Sequence, residues 1–266
     1  MIYVVPSLKA KEKLQCEGKA WAESQGFTYV PRGKRTIQDL MDEYGEDFLV
    51  YSSRGPQIDR PEGSHFFSLN MAELRIQNLR KGQRDHLLEA LMGRGSSKLP
   101  ITVLDCTCGF GADAAVASFG LPAGSRVDAL EVSPLLEAVM SWGFSHFVHK
   151  KDDVTAALRR ISLRRGDYRD YLLSDEGPVY DVLYFDPMFQ RPVEASCQFQ
   201  PVRAIMEHGG LTRDLIERAL QKARRRVVIK ERDFRQLCRD FPEAVLYGGK
   251  YSRIGYAVLE CDSWKK

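Results

Sequence analysis

Two short runs of this 266-residue sequence carry residue types that can do chemistry at strand ends. The first, Leu104-Asp105-Cys106-Thr107-Cys108-Gly109-Phe110-Gly111-Ala112-Asp113, continues the apolar stretch Ile101 to Leu104 and reads as a buried strand, a glycine turn and the start of a helix. That geometry turns backbone N–H groups toward a nucleotide-like ligand. Gly109 and Gly111 can take backbone angles that side chains forbid, and so let the chain approach a ligand closely. The second run, Tyr180-Asp181-Val182-Leu183-Tyr184-Phe185-Asp186-Pro187-Met188-Phe189, is again an apolar strand ending in a loop carboxylate. Asp186 and the carbonyl of Pro187 can together accept both hydrogens of an exocyclic amine, leaving the nitrogen lone pair aimed at a methyl donor. Phe189 can stack on the base that bears the amine.

The segment Gly109-Phe110-Gly111-Ala112-Asp113-Ala114 satisfies the pattern G-x-G-x-x-G/A, and Glu131, at the end of the next apolar run, can hold a ribose diol with its two oxygens. This spacing serves NAD and S-adenosylmethionine alike. The acids separate them. Asp105 and Asp113 flank the turn where a dinucleotide's pyrophosphate would sit and would repel it, whereas a cationic sulfonium with an amino-acid tail suits them. Plainer roles are open to the same residues, Asp113 as a helix-dipole partner and Asp105 as a strand-end cap. Asp167, after the third strand, is placed to meet an adenine amine. Cys106 and Cys108 form no Cys-x-x-Cys pair and read as small side chains in the loop rather than as metal ligands.

Alternating strand-like and helix-like segments position these loops. From about residue 100 the order is a strand at 101–104, a helix at 112–119, a strand at 126–131 and a helix opened by Ser133-Pro134 as N-cap and first helical residue. A helix from Asp152, a strand at 161–163, the loop Gly166-Asp167-Tyr168, a strand at 180–185, a helix at 211–223, a strand at 226–230 and a short helix at 233–240 follow. Two final strand-like runs, 245–251 and 254–260, leave no room for a helix between them and predict a terminal antiparallel hairpin. The pattern is α/β, a mostly parallel sheet covered on both faces. Ahead of it, segments at 3–5, 8–25, 28–30, 36–44 and 48–51 make a small α/β unit closed by the turn-rich Ser52-Ser53-Arg54-Gly55-Pro56, and 72–92 reads as one helix. A boundary at residues 55–64 gives an N-terminal unit over 1–64 and a cofactor-binding domain over 65–266.

Hydrophobic residues at 44% and charged residues at 28% fit a soluble globular protein, and no apolar run approaches the roughly 18 residues of a membrane span. The first residues lack the marks of a secretory signal, and six cysteines without a regular framework suit a reduced compartment, so a cytoplasmic location is expected. Lys and Arg number 39 against 36 Asp and Glu, a mild excess that permits a polyanionic partner. Arg159-Arg160 with Arg164-Arg165, Lys222 with Arg224-Arg225-Arg226, and Arg32 with Lys34-Arg35 are the clusters that could form its footprint, or else solvated helix ends.

The two loops and their neighbours resemble the class I S-adenosylmethionine-dependent methyltransferases, and within them the RsmJ-like family, whose characterised members methylate the exocyclic amine of a guanine in small-subunit ribosomal RNA. The matching stretches are Asn70-Met71-Ala72 with Arg75, Asp105-x-Thr107-x-Gly109-x-Gly111-x-Asp113, Glu131 with Pro134, Asp186-Pro187-Met188-Phe189 and Val227-Val228-Ile229-Lys230, within residues 65–260. The resemblance implies a Rossmann-like fold, S-adenosylmethionine as cofactor, ribosomal RNA or the small ribosomal subunit as partner, and a cofactor site lined by Ala112, Asp113, Glu131, Val132, Asp167, Tyr168 and Asp186. The chain departs from the family at Asp167-Tyr168, where small hydroxyl residues are usual, and at Gln190-Arg191-Pro192, where a Pro and a basic residue are typical. Met188 replaces the second proline of the Asn/Asp-Pro-Pro-Tyr/Phe loops of other amino-methyltransferases, and the first 60 residues do not match. Other readings of the same residues are a protein or small-molecule acceptor, an NAD-dependent oxidoreductase favoured by the glycine spacing alone, and a non-catalytic RNA-binding module.

Overall fold

The computed structural model describes residues 1–93, 99–187, 210–248 and 254–264. The chain runs β1 (Tyr3–Pro6), α1 (Glu12–Ser24), β2 (Thr28–Tyr29), α2 (Ile37–Tyr44), β3 (Phe48–Ser52), β4 (Gly55–Arg60) and β5 (Gly63–Phe66). It continues through α3 (Asn70–Arg80), α4 (His86–Met92), β6 (Thr102–Asp105), α5 (Ala112–Gly120), β7 (Arg126–Glu131), α6 (Pro134–His146), α7 (Asp152–Leu158), β8 (Ile161–Arg165), α8 (Tyr168–Leu173) and β9 (Val182–Phe185). The remaining described elements are α9 (Arg213–Lys222), β10 (Arg226–Glu231), α10 (Arg235–Asp240), β11 (Val245–Gly248) and β12 (Gly255–Glu260). Among the described residues, no helix is long and apolar enough to cross a membrane.

One unit contains Met1–Ser68 and Ser133–Phe147. Its sheet has the order β2-β1-β3-β4-β5, parallel where β1 meets β2 and β3, antiparallel from β3 onward. The turn-rich run Ser52 to Pro56, read from sequence as closing the unit, is the tight turn that joins β3 to β4, and the sheet goes on into β5. The run's Gly-Pro density hides strands whose buried polar residues satisfy one another: Ser52 Oγ donates to Gln57 Oε1 at 2.9 Å, and Gln57 Nε2 donates to both oxygens of Asp59 at 2.8 and 2.9 Å. Ser133 caps α6 and Pro134 opens it, as the dipeptide predicts. Within this unit α6 packs on β4, and Gly143 makes room for Phe67, whose ring meets Phe144 at 5.5 Å and Phe147 at 5.3 Å.

The described part of the second unit comprises residues 69–93, 99–132, 148–187, 210–248 and 254–264. Its seven-stranded sheet has the order β11-β12-β10-β9-β6-β7-β8, parallel except for β12, which runs antiparallel to both of its neighbours. The predicted hairpin is present, with β12 inserted between β11 and β10. The single helix expected at 72–92 is two, α3 and α4. Gly82 at φ +75 leaves the helix, and Asp85 caps α4 by accepting the N–H of Leu87 and of Leu88.

Pleating gives the middle of this sheet two unlike faces. Leu104, Leu183, Phe185, Val227 and Ile229 enter an apolar core with Tyr168, Ile216, Leu220 and Phe241. The alternate positions Asp105, Tyr184, Lys230 and Tyr256 are polar and aligned by register, Asp105 opposite Tyr184 and Lys230 opposite Tyr256. On this polar side stands Asp113 of α5, only 8% exposed. It accepts the Tyr184 hydroxyl at 2.7 Å, pairs with Lys230 Nζ at 2.7 Å and pairs with Arg75 of α3. Arg75 is clamped in turn by Asp85 through Nε and Nη2, both at 2.8 Å. Burial opposes the charge on Asp113, but Lys230 and Arg75 outweigh it and hold the carboxyl below the usual range.

Two substitutions test this packing in urea unfolding of the full chain. A Cβ on Gly143 would lie 2.0 Å from the Phe67 ring, so Gly143→Ala is expected to cost about 2 kcal/mol by overpacking. Asp113→Asn is expected to cost about 3 kcal/mol, the low end for a broken buried pair, because Arg75 keeps Asp85 and Lys230 keeps Asp186. A carboxyl with a depressed folded pKa stabilises above its unfolded value near 3.9 and loses that contribution below it. The difference between wild type and Asp113→Asn should therefore shrink as pH falls below about 4.

Candidate functional site

The strand order reverses between β6 and β9: the chain steps outward from β6 to β7 and β8, then returns to the other side of β6. Loops that leave the carboxyl ends of strands at such a point diverge and open a crevice. Both sequence-predicted loops leave from here. The glycine loop after β6 is tied to the strands on either side, with Cys106 N–H donating to Tyr184 O at 2.8 Å and Cys108 N–H donating to Leu130 O at 2.9 Å. Gly109 at φ +53 and Gly111 at φ +66 take the left-handed region, and Gly111 forms the N-cap of α5. A Cβ on Gly109 would meet nothing closer than the Thr107 carbonyl at 3.8 Å, so the glycine is required by backbone angle and its outer side lies open.

Thr107 joins the two loops. Its N–H donates to Asp105 Oδ1 at 3.1 Å, and its hydroxyl oxygen accepts the backbone N–H of Asp186 at 2.6 Å. On the other flank Gly109 N–H donates to Glu131 Oε2 at 2.9 Å, and Gly166 N–H donates to the Glu131 carbonyl at 3.0 Å. The ends of β6, β7, β8 and β9 thus present Asp105, Glu131, Asp167 and Asp186 around one loop, with Ala112 in the first turn of α5 and Val132 just past β7.

These acids differ in how much of their charge is already used. Asp113, read from sequence as a partner for a cationic ligand, is shared by Arg75, Lys230 and Tyr184. Asp167 caps α8 by accepting the Arg169 N–H at 2.8 Å and is gripped by the Arg169 guanidinium, which holds its carboxyl below the usual range. Tyr168 turns its ring into the apolar core, edge-on to Phe185 at 5.4 Å. Asp105 is the contrasting case. It is 2% exposed, burial pushes its carboxyl well up, and its hydrogen-bond partner among the described residues is the Thr107 N–H alone. A buried acid short of donors at the crevice suits an ammonium-bearing ligand, and the left-handed glycine loop beside Glu131 suits a ribose. The residues fit S-adenosylmethionine, whose ribose Glu131 would hold and whose amino-acid end Asp105 would meet.

Asp186 lies beyond the end of β9 and accepts Lys230 Nζ on Oδ2 at 2.7 Å. Sequence reading placed Lys230 and Arg75 in stretches that match the family without giving either a role, and it did not single out Asp85 or Tyr256. Only the strand-end position of Lys230, matching that of Asp186 once the strands pair, signals the contact. Burial pushes the Asp186 carboxyl up, to about 6, because the one ammonium that would hold it down is divided with Asp113. Pro187 follows it directly, while Met188 and Phe189 lie outside the described residues. The basic clusters serve internal contacts in part. Arg32 and Arg35 bond each other's carbonyls, Lys222 reaches the carbonyl of Tyr171, and Arg225 pairs with Asp181 at 3.4 Å.

Comparison with known proteins agrees with this geometry. A family described as "Putative SAM-dependent methyltransferase" matches residues 64–255. The Bacillus subtilis protein YpiP is 29% identical over 230 residues, spanning 86% of this chain and 88% of YpiP. A ribosomal RNA small subunit methyltransferase J from Marinobacter nauticus is 28% identical over 194 residues, 72% of this chain and 66% of that protein. In structure, a SAM-dependent methyltransferase of Neisseria gonorrhoeae aligns with a TM-score of 0.64 at 17% identity, covering 97% of this chain and 95% of that one, which shows a shared fold. With a glycine loop and strand-end acids that fit S-adenosylmethionine, and a family match across most of its length, the chain belongs to the SAM-dependent methyltransferases.

Proposed function

We propose that this methyltransferase modifies the exocyclic amine of a nucleobase, guanine N2 in small-subunit ribosomal RNA, in the cytoplasm. The observation that carries the reading is Asp186-Pro187 at the strand end beside the glycine loop, with the Asp186 backbone held by Thr107 and one carboxylate oxygen held by Lys230. The relatives named ribosomal RNA small subunit methyltransferase J support the choice of acceptor.

When bound, the cofactor supplies an electrophilic methyl group on a sulfonium. The rest falls to this chain's residues. Asp186 and the Pro187 carbonyl accept the two amine hydrogens and so fix the nitrogen lone pair in line with the methyl carbon, which converts an encounter into an oriented displacement. The N–C bond forms as the C–S bond breaks, and the amine proton passes to Asp186 and on to solvent. A carboxyl near 6 can both accept that proton and release it at neutral pH. Phe189 stacks the base, and Asp105 and Glu131 hold the two ends of the donor.

Small ribosomal subunits from cells lacking the gene provide the test. Wild type is expected to transfer labelled methyl to the RNA fraction, and Asp186→Ala to lose about a hundredfold or more in kcat while binding S-adenosylhomocysteine within a few-fold of wild type. Full transfer by Asp186→Ala, or label in protein and none in RNA, would overturn the reading. The ionised carboxylate is the form that accepts amine hydrogens, so activity should rise through pH about 6 and level above it.

A further inference from the structure

Lys230 has no assigned part in the transfer, yet it is the group best placed to control Asp186. Its Nζ stands 2.7 Å from Asp186 Oδ2 and 2.7 Å from Asp113 Oδ2. Asp113 is itself anchored by Tyr184 and Arg75, and Arg75 by Asp85, the cap of α4. The ammonium is therefore fixed on one side by a network drawn from α3, α4, α5 and β9, and on its other side it meets the residue proposed to receive the amine. Asp186 interacts with Lys230 and Glu231 from β10, Asp113 from α5, Asp105 from β6, Tyr184 from β9 and Thr107 from the glycine loop. Among these groups Lys230 is the cation that touches it.

We infer that Lys230 is a positioning residue for methyl transfer: it occupies Oδ2 of Asp186, so that the carboxylate stays charged and presents its other oxygen to the acceptor amine. This rests on the reading of Asp186 as the amine's acceptor. A compact ammonium suits the task better than a guanidinium, because it bridges two single oxygens from different elements rather than gripping one carboxylate with both prongs. If Lys230 merely neutralised Asp113, its loss would lower stability and leave the ionisation of Asp186 unmoved.

The test follows the Asp186 carboxyl directly, by NMR titration of protein labelled at aspartate Cγ, alongside methyl transfer to small ribosomal subunits as a function of pH. In Lys230→Met the Asp186 midpoint and the acid limb of kcat/KM are expected to move up together by about one pH unit or more, with activity at pH 7 down about tenfold and partly regained at higher pH. Lys230→Arg should keep both near their wild-type positions, and S-adenosylhomocysteine affinity should stay within a few-fold in each variant. An unmoved midpoint and limb in Lys230→Met would overturn the inference, whereas full transfer by Asp186→Ala would overturn the reading beneath it. Should Lys230→Met not fold, Asp113→Asn gives Lys230 wholly to Asp186 and is expected to lower the midpoint; an unchanged midpoint there overturns the inference as well.

Discussion

One ammonium held between two buried carboxylates is the constraint on which the site of this methyltransferase depends. Taking charges out of water costs several kcal/mol per ion, and the cost is recovered only where partners and hydrogen bonds are complete. Lys230 alone could not balance both Asp113 and Asp186. Arg75 supplies the second cation, Asp85 steadies Arg75, and the Tyr184 hydroxyl fills a further acceptor position on Asp113. Hence α3 and α4 are more than a cover for the sheet. They deliver Arg75 and its clamp to the start of α5, and the break at Gly82 brings Asp85 within reach.

The network leaves an asymmetry that the chemistry can use. Asp113 receives two cations and a hydroxyl, whereas Asp186 receives half of one ammonium at its carboxylate and a threonine hydroxyl at its backbone. The first carboxyl is held down and the second is pushed up toward neutrality, although they lie on the same lysine. Their environments leave one acid fully paired within the protein and the other short of compensation. Thr107 adds the geometric counterpart. Because its N–H and hydroxyl address Asp105 and Asp186 in turn, Thr107 ties the glycine loop to the Asp-Pro loop.

Much of this was legible in the sequence where the information is local. The alternation of strands and helices after residue 100, the Ser133-Pro134 helix start, the two loops and the terminal hairpin all follow from periodicity and turn chemistry. What was not legible depends on pairing across long separations. Nothing near Lys230 announces Asp113, more than a hundred positions away, and the contact exists only because β10 and β9 pair with Ile229 beside Phe185. The β4 and β5 strands were missed for a different reason. Gln57 and Asp59 look solvated in a turn-rich stretch, but they are buried and satisfy each other sideways along the strand. Likewise Asp167 carries its own partner, Arg169, two residues on, a local pair that strand-end position alone does not reveal.

The charge argument that first distinguished the cofactor therefore survives in altered form. Asp113, read from sequence as a partner for a cationic ligand, is already paired with Arg75 and Lys230. The acid with capacity to spare is Asp105, buried, pushed toward its neutral form and held by a single N–H. An arriving ammonium would restore the charge of Asp105 and gain a partner in the same step, so binding of the donor and ionisation of this carboxyl would be linked. The same polar face of one sheet thus separates two kinds of acid by their neighbours: Asp113, compensated within the protein, and Asp105 and Asp186, left short of compensation.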